Sequence, residues 1–494
     1  MSAPIISGFH PDPSICRVGD AYYIATSSFE YSPGVPIHRS TDLVRWELVG
    51  NALDRDSQLR PSVAAKDSGI YAPTLRHHDG RFWLTTTDTS RPFDGQLIVH
   101  ADAAEGPWSE PVFVPGAIGI DPDLAWDEDG TAHLSWRSFH PELDGIASVP
   151  VDPETGAPLG EPRLLWAGTG LPHIEAPHLY RIGEWWYLLV AEGGTERGHT
   201  VSIARSRTIH GEYEACPANP ILTHRSTAHP VQNTGHADIV ENADGSWSVV
   251  YLGVRPRGIT PAFHVNGRET FVAGVDWIDG WPRIDEDRYE IPEKDHAFTD
   301  DLTFPSLHPR WVSPGAHPSG FTTPDADGAV LRFHDARESR SILATRALDD
   351  LWEAEIDLED LMGEVRVLVR LDDTHWYGVD LTAAEAVMTL AVGPAVARPS
   401  RTAIAGASRL TVGIRVFRRP APQPWGANPE PDMIGFSVRS GDGDGVDLGS
   451  YDGRYLSTEV AGGFTGRVWG VEILGGSARV SGVRYSPASA AADV

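Results

Sequence analysis

Apolar and polar positions over roughly the first half of the chain fall into five repeats of one pattern. Each repeat has an extended start, often with Pro, then an apolar residue, a turn ending in Gly, and an aromatic or apolar strand. The runs are DPSI at 12–15 with Gly19 and AYYI at 21–24, then YAPTL at 71–75 with Gly80 and FWL at 82–84. They continue as DPDL at 121–124 with Gly130 and HL at 133–134, and EAPHL at 175–179 with Gly183 and WWYLL at 185–189. The fifth is HADI at 236–239 with Gly245 and WSVVY at 247–251. Each reads as a strand, a tight turn and a second strand. The starts are 59, 50, 54 and 61 residues apart, which leaves room for two further strands per unit, the size of a four-stranded propeller blade. A second phrase, a turn before an aromatic, recurs late in the units as DLVRW at 42–46, EGPW at 105–108 and HGEY at 210–213. Two stacked β-domains would also supply hairpins, but five phased units without helical periodicity favour a propeller.

The pattern stops near residue 283. Residues 286–304 are rich in Asp, Glu and Pro and read as a connection, with 291–304 the linker between a propeller at 1–290 and a second domain at 305–487. Strand-like runs at 365–370, 376–381, 410–416 and 478–483 make that domain a β-sandwich. A segment at 417–433 with five prolines reads as a long loop, and 488–494 as a tail. The expected fold is therefore all-β: a five-bladed β-propeller followed by a C-terminal β-sandwich.

Composition narrows the function. The formal net charge of −29 argues against nucleic acid or anionic membranes as partners, since both need basic surface. No apolar run reaches 18 residues, and the first residues carry no basic, apolar leader, so a cytoplasmic protein is expected. Cys16 and Cys216 lack metal-ligand spacing; they read as free buried thiols, with a disulfide between them the alternative.

In a propeller the innermost strands line one axis, so the five repeat starts converge. Those starts are Asp12, Tyr71, Asp121, Glu175 and His236. Singly, Asp before Pro is an ordinary turn residue. Three carboxyl groups, an imidazole and a phenol at one repeat position are not what a packed core selects. Several acids in one pocket suit glycosidic bond cleavage: one stays protonated for the leaving oxygen, one is ionised, and a third holds the acid in place and raises its pKa. The 16 Trp, 13 Tyr and 15 Phe supply faces for stacking on sugar rings.

At these residues the sequence resembles glycoside hydrolase family 43, particularly its two-domain β-xylosidases. The resemblance rests on GFHPDPSI at 8–15, IDPDL at 120–124 with DEDG at 127–130, and IEAPHLY at 174–180. AEGGT at 191–195, IARS at 203–206, GRET at 267–270, DGWP at 279–282 and, more thinly, GFTG at 463–466 add to it. The resemblance implies an inverting enzyme in which Asp12 is the general base, Glu175 the general acid and Asp121 the residue that orients Glu175 and keeps its pKa high. It also implies that Phe29 walls the terminal sugar and that Arg255 bonds sugar hydroxyls. His236 matches a channel histidine that in relatives can hold calcium, largely through waters; no cofactor is required otherwise. The sequence departs from the pattern at Tyr71, where relatives carry Trp. It departs also at Phe139, where they carry another aromatic with Trp136 nearby as a substitute, and at Val468, which replaces a pocket-closing phenylalanine of the second domain.

The expected substrate is a short xylo-oligosaccharide that loses terminal xylose, with α-L-arabinofuranosidase activity the nearest rival and a non-catalytic sugar-binding propeller the rival from another class. The second domain is expected to shape the site rather than bind polymer, and self-association is left open. GDGDG at 441–445 fits an exposed hairpin turn better than a calcium loop.

Overall fold

The computed structural model describes residues 3–59, 67–258, 261–303, 305–334, 340–404, 406–418 and 431–488. Much of the proline-rich loop and residues 489–494 of the tail lie outside the described residues.

Five antiparallel sheets form the five blades. The first contains Ser14–Val18, Ala21–Ala25, Gly34–Ser40 and Glu47–Leu53; the second contains Thr74–His78, Arg81–Thr86, Gln96–Ala101 and Val112–Val114. The third is built on Gly119–Trp126, Ala132–Ser138 and Gly145–Asp152, with Ala157–Pro158 and Arg163–Trp166 at its edge. The fourth runs Glu175–Ile182, Trp185–Glu192, Thr200–Ser206 and Glu214–Ala215, and the fifth Gln232–Glu241, Trp247–Val254, Glu269–Ile278 and Trp281–Asp285. Near-continuous apolar middle strands arise because each blade is covered on both faces by its neighbours. Trp83, Trp136, Leu134 and Val149 share one such inter-blade core. The ring is closed at the N-terminus, where the amides of Ile5 and Ile6 both donate to the Thr270 carbonyl of blade five.

Arg76 of blade two joins the blades at the axis. One of its amino groups lies 2.9 Å from Asp238 of blade five; the other lies 2.7 Å from Asp123 of blade three and 3.0 Å from His178 Nδ1 of blade four. Ser14 of blade one donates to Asp238 at 2.7 Å. Ser14, Asp123, His178 and Asp238 are the residues at which regular pairing of their inner strands begins after the irregular starts. They form a polar layer in which every blade takes part.

The second domain begins earlier than expected: Phe298–Asp300, inside the segment read as a linker, already pairs with Val483, Arg484 and Tyr485 of its sheet. Two long strands, Trp352–Arg370 and Val468–Pro487, pair along most of their lengths and carry register shifts at 357/358, 359/362 and 364/365. Such shifts bend strands, so one twelve-stranded hydrogen-bonded sheet folds over the sandwich core of Trp352, Ile356, Val367, Ile414, Ile434 and Trp469. The domains touch through paired strands, Ser313 and Pro314 against Ser32 and Tyr31. Cys16 and Cys216 are free and buried in different cores. Among the described residues no helix is long and apolar enough to cross a membrane.

Replacing Arg76 with Leu leaves Asp123 and Asp238, both with wholly buried side chains, without their cation. Unpaired buried charge of this kind costs about 3–5 kcal/mol. The expected outcome is a loss of that size in urea unfolding, much larger than for Arg45→Leu at an exposed ion pair.

Candidate active site

Four inner-strand residues stand two positions before the polar layer, where regular pairing has not yet begun. Asp12, Asp121, Ala176 and His236 hold that position, and all four have positive φ, between 46° and 56°. Bulges interrupt the inner strands between Ile120 and Asp123, between Glu175 and His178, and between Gln232 and Asp238. Non-glycine residues in this region cost roughly 1–3 kcal/mol each, and such strain gathers at functional sites. Glu175 and Tyr71 therefore stand one residue ahead of the true register, which is Ala176 and Ala72. The expectation that all five repeat starts are equivalent is corrected here: Glu175 arrives by way of the bulge, not by blade equivalence.

Asp12, Phe29, Tyr71, Asp121, Glu175 and His236 nevertheless line one cavity of about 440 Å³, together with Arg268 and Phe464. Asp12 is buried. Its Oδ1 lies 2.9 Å from Arg268 Nη1 and 3.5 Å from His236 Nδ1, and its Oδ2 accepts from Ser27 at 2.6 Å. Burial alone pushes its pKa up, but Arg268, His236 and the Ser27 hydrogen bond outweigh that and hold it below the ordinary value. Asp121 accepts from the Ala176 amide at 3.1 Å. Burial pushes Asp121 well up, reinforced by Glu175 and Asp12. Glu175 is pushed up to about 7, by burial first and by Asp12 next. The Asp121–Glu175 pair therefore retains a proton at neutral pH, while Asp12 ionises early. Burial takes His236 down to about 3, so it is neutral.

Three expected site residues, and the noted departure Val468, lie elsewhere. Arg255 is spent in a two-pronged pair with Glu269 at 2.6 and 2.9 Å and reaches Asp350 of the second domain at 3.3 Å. Trp136, 1% exposed, packs between blades and donates to the Ile118 carbonyl. Phe139 is 57% exposed and lies outside the cavity lining. Val468 is fully buried against Phe9, Tyr31 and Leu368, so it leaves no aromatic gap. The aromatic that the second domain supplies is Phe464, four residues earlier in the GFTG run. It stacks on Phe29 at 5.7 Å and meets Tyr71 edge-on at 5.9 Å.

Two close approaches hold the Phe464 loop on the propeller. Phe464 N donates to Asp67 at 3.0 Å, and a Cβ on Gly466 would fall 2.4 Å from the Asn266 backbone. Only glycine fits there.

Sequence reasoning missed Arg268 and Phe464. The signal for Arg268 was a lone arginine inside GRET at the mouth of a buried strand; nothing in the chain alone marked Phe464 as reaching the other domain.

The cavity's electrostatics and shape agree with an independent comparison. The family model for glycosyl hydrolases family 43 matches residues 1–282. The chain belongs to glycosyl hydrolases family 43. A xylosidase/arabinosidase of Butyrivibrio fibrisolvens is 42% identical over 323 residues, 61% of this chain and 60% of that protein. A non-reducing end α-L-arabinofuranosidase of Bacteroides ovatus is 43% identical over 288 residues, 58% of this chain and 53% of that protein. The matched stretches thus span little more than half the length of these curated relatives. The solved structure of a xylan β-1,4-xylosidase from Bacillus halodurans superimposes with a TM-score of 0.86 at 29% identity, covering 98% of this chain and 100% of that one. Both domains of this family 43 chain are therefore matched in three dimensions.

The side chains around His236 offer calcium few oxygen ligands of their own. Its buried neighbours are the imidazoles of His178 and His199, and the adjacent carboxylate Asp12 is taken by Arg268 and Ser27. The axial carboxylates Asp123 and Asp238 are neutralised by Arg76. Calcium takes six to eight oxygen ligands, so an ion beside His236 would draw most of them from water.

A raised folded-state pKa makes Glu175 a stability liability as pH rises. Its proton is bound in the folded state and absent in the unfolded state between the ordinary value of 4.5 and about 7, so stability falls with pH across that window. Glu175→Gln removes this dependence. The melting temperature of the variant relative to the native chain is expected to increase from pH 5 to pH 8.

Proposed function

We propose that the chain is an exo-acting, inverting glycoside hydrolase that releases terminal xylose from short β-1,4-xylo-oligosaccharides. The observation that carries this reading is the opposed protonation of two carboxyl centres in one cavity: Asp12 ionised, the Asp121–Glu175 pair holding a proton. Glycosidic cleavage needs both states at once. Asp12 takes a proton from water as the water attacks the anomeric carbon. Glu175 gives its proton to the leaving oxygen as that C–O bond breaks. Asp121 positions Glu175 and, as a neighbouring acid, keeps the pair from losing its last proton. Arg268 keeps Asp12 ionised; its Nε, buried without a hydrogen-bond partner among the described residues, is placed to donate to a sugar hydroxyl. Phe29, Tyr71 and Phe464 form the stacking wall. The polar layer around Arg76 blocks the channel beneath the acids, which supports removal of end units rather than cleavage within a chain.

A second reading, α-L-arabinofuranosidase activity, is favoured by the Bacteroides relative named for it and by the Butyrivibrio relative named for both sugars. Rates on nitrophenyl β-xyloside and nitrophenyl α-arabinofuranoside separate the two. The expected result is faster xylose release, with Asp12→Ala and Glu175→Ala each lowering kcat/KM by about 10²–10⁴-fold. Equal background from all three proteins sinks catalysis in favour of a sugar-binding propeller. Proton NMR of the first product distinguishes inversion from retention.

The pH profile follows from the same groups. The alkaline limb of kcat/KM is expected near 7, where Glu175 loses its proton. Arg268→Gln removes a positive charge that lowers the Asp12 pKa, so the acid limb moves to higher pH. An unmoved acid limb in that variant contradicts the assignment of Asp12 as base.

A further inference from the structure

Outside the catalytic cavity, three metal-binding side chains of blade five meet. His224 and His229 belong to the loop that enters the inner strand Gln232–Glu241, and Glu286 follows the outer strand Trp281–Asp285. One Nδ1 or Nε2 from each histidine and one carboxylate oxygen lie within 4.8 Å of one another. The two imidazole rings are 3.8 Å apart at their centroids, inclined by 40°.

Hydrogen bonding fixes which nitrogen faces the cluster. His224 Nδ1 is 2.8 Å from the Val231 carbonyl, which can only accept, so the proton sits on Nδ1 and the lone pair on Nε2. That Nε2 is buried without a hydrogen-bond partner among the described groups, yet it is 2.8 Å from Glu286 Oε1. Two electron-pair donors at that separation share either a proton or a metal cation. His229 Nδ1 is 3.1 Å from the same carbonyl and 3.2 Å from the Val231 amide, so its Nε2 carries the ligating lone pair only in the tautomer that donates from Nδ1 to the carbonyl. Tyr251 donates to Glu286 Oε1 at 3.2 Å, an outer hydrogen bond of the kind that orients ligating carboxylates.

We infer that His224, His229 and Glu286 form a site for zinc or a similar first-row divalent cation. Two imidazoles and one carboxylate suit zinc and are too nitrogen-rich for calcium or magnesium. Tetrahedral zinc with bonds of about 2.1 Å sets its ligands roughly 3.4 Å apart, so His224 Nε2 and Glu286 Oε1 open from 2.8 Å to admit it while all three ligand atoms already lie within 4.8 Å. His229 and Glu286 are only partly buried, which leaves a fourth position open to water. The cation ties the loop at 224–231 to the last strand of its blade. Ser226, Thr227, Ala228 and His229 of that loop border a groove of about 1300 Å³ that meets the catalytic cavity at Thr195, Arg268 and Phe464. Its role is to fix that groove's wall, and it takes no part in the carboxyl chemistry.

The test is a zinc titration of the full chain after dialysis against a chelator, read by calorimetry and by metal analysis. About one equivalent is expected to bind, with a rise in melting temperature. His229→Gln and Glu286→Gln remove different ligands, and each is expected to weaken zinc binding by about ten-fold or more while melting near the wild type in chelator. His236→Gln is expected to bind zinc as the wild type does, which separates this site from the cavity histidine. Absence of zinc binding at about 1 mM, or affinity unchanged in either variant that folds, overturns the site. The 2.8 Å contact is then a protonated imidazole paired with a carboxylate.

Discussion

A single guanidinium on the propeller axis determines much of what surrounds it. Arg76 comes from blade two, yet its partners Asp123, His178 and Asp238 come from blades three, four and five, and Ser14 brings in blade one. Blades otherwise pack through apolar faces, which set distance but tolerate rotation. A planar guanidinium with directed donors fixes both distance and orientation. The carboxylates it holds are fully buried and stable there only while paired. Because these groups lie two residues beyond Asp12, Asp121, Ala176 and His236, the same layer sets where the cavity residues above it stand.

The cavity uses charge in the opposite way. Below, an arginine satisfies two carboxylates; above, three carboxyl groups share one nearby arginine. Arg268 lies 2.9 Å from Asp12 and so favours that residue. Burial and mutual repulsion leave Asp121 and Glu175 with a proton between them. One cation placed off-centre therefore separates groups of the same chemical type into an ionised site and a protonated one.

The second domain completes this arrangement rather than merely abutting it. Asp350 completes the pairing of Arg255, and Phe464 supplies an aromatic face between Phe29 and Arg268. Excluding water on that side lowers the local dielectric and strengthens every charge interaction within the cavity. Two glycines permit the approach: a Cβ at Gly267 would meet Phe9 and Gly466, and one at Gly466 would meet Asn266.

The chain alone determined the blade count, the sandwich and the three acids, since repeat spacing and strand alternation are local and read directly from residue type. It did not determine register at the bulges, so repeat phasing alone makes Glu175 and Tyr71 equivalent to Asp12 where the strands place Ala176 and Ala72. A bulge changes which residue faces the axis without changing the composition of the strand. It also did not show that Arg268 and Phe464, rather than Arg255, Trp136 and Phe139, line the cavity. Arg255 and Arg268 stand thirteen positions apart in blade five, and only the position of Glu269 decides which is consumed and which is left to the cavity. Val468 opens a buried strand and Phe464 lies four residues earlier, and only the docking of the two domains brings Phe464 to the cavity. Tertiary contacts decide these cases because ion pairing and cavity walls depend on partners that strand pairing or domain docking brings together, Glu269 for Arg255 and Asp12 for Arg268, which no local pattern records.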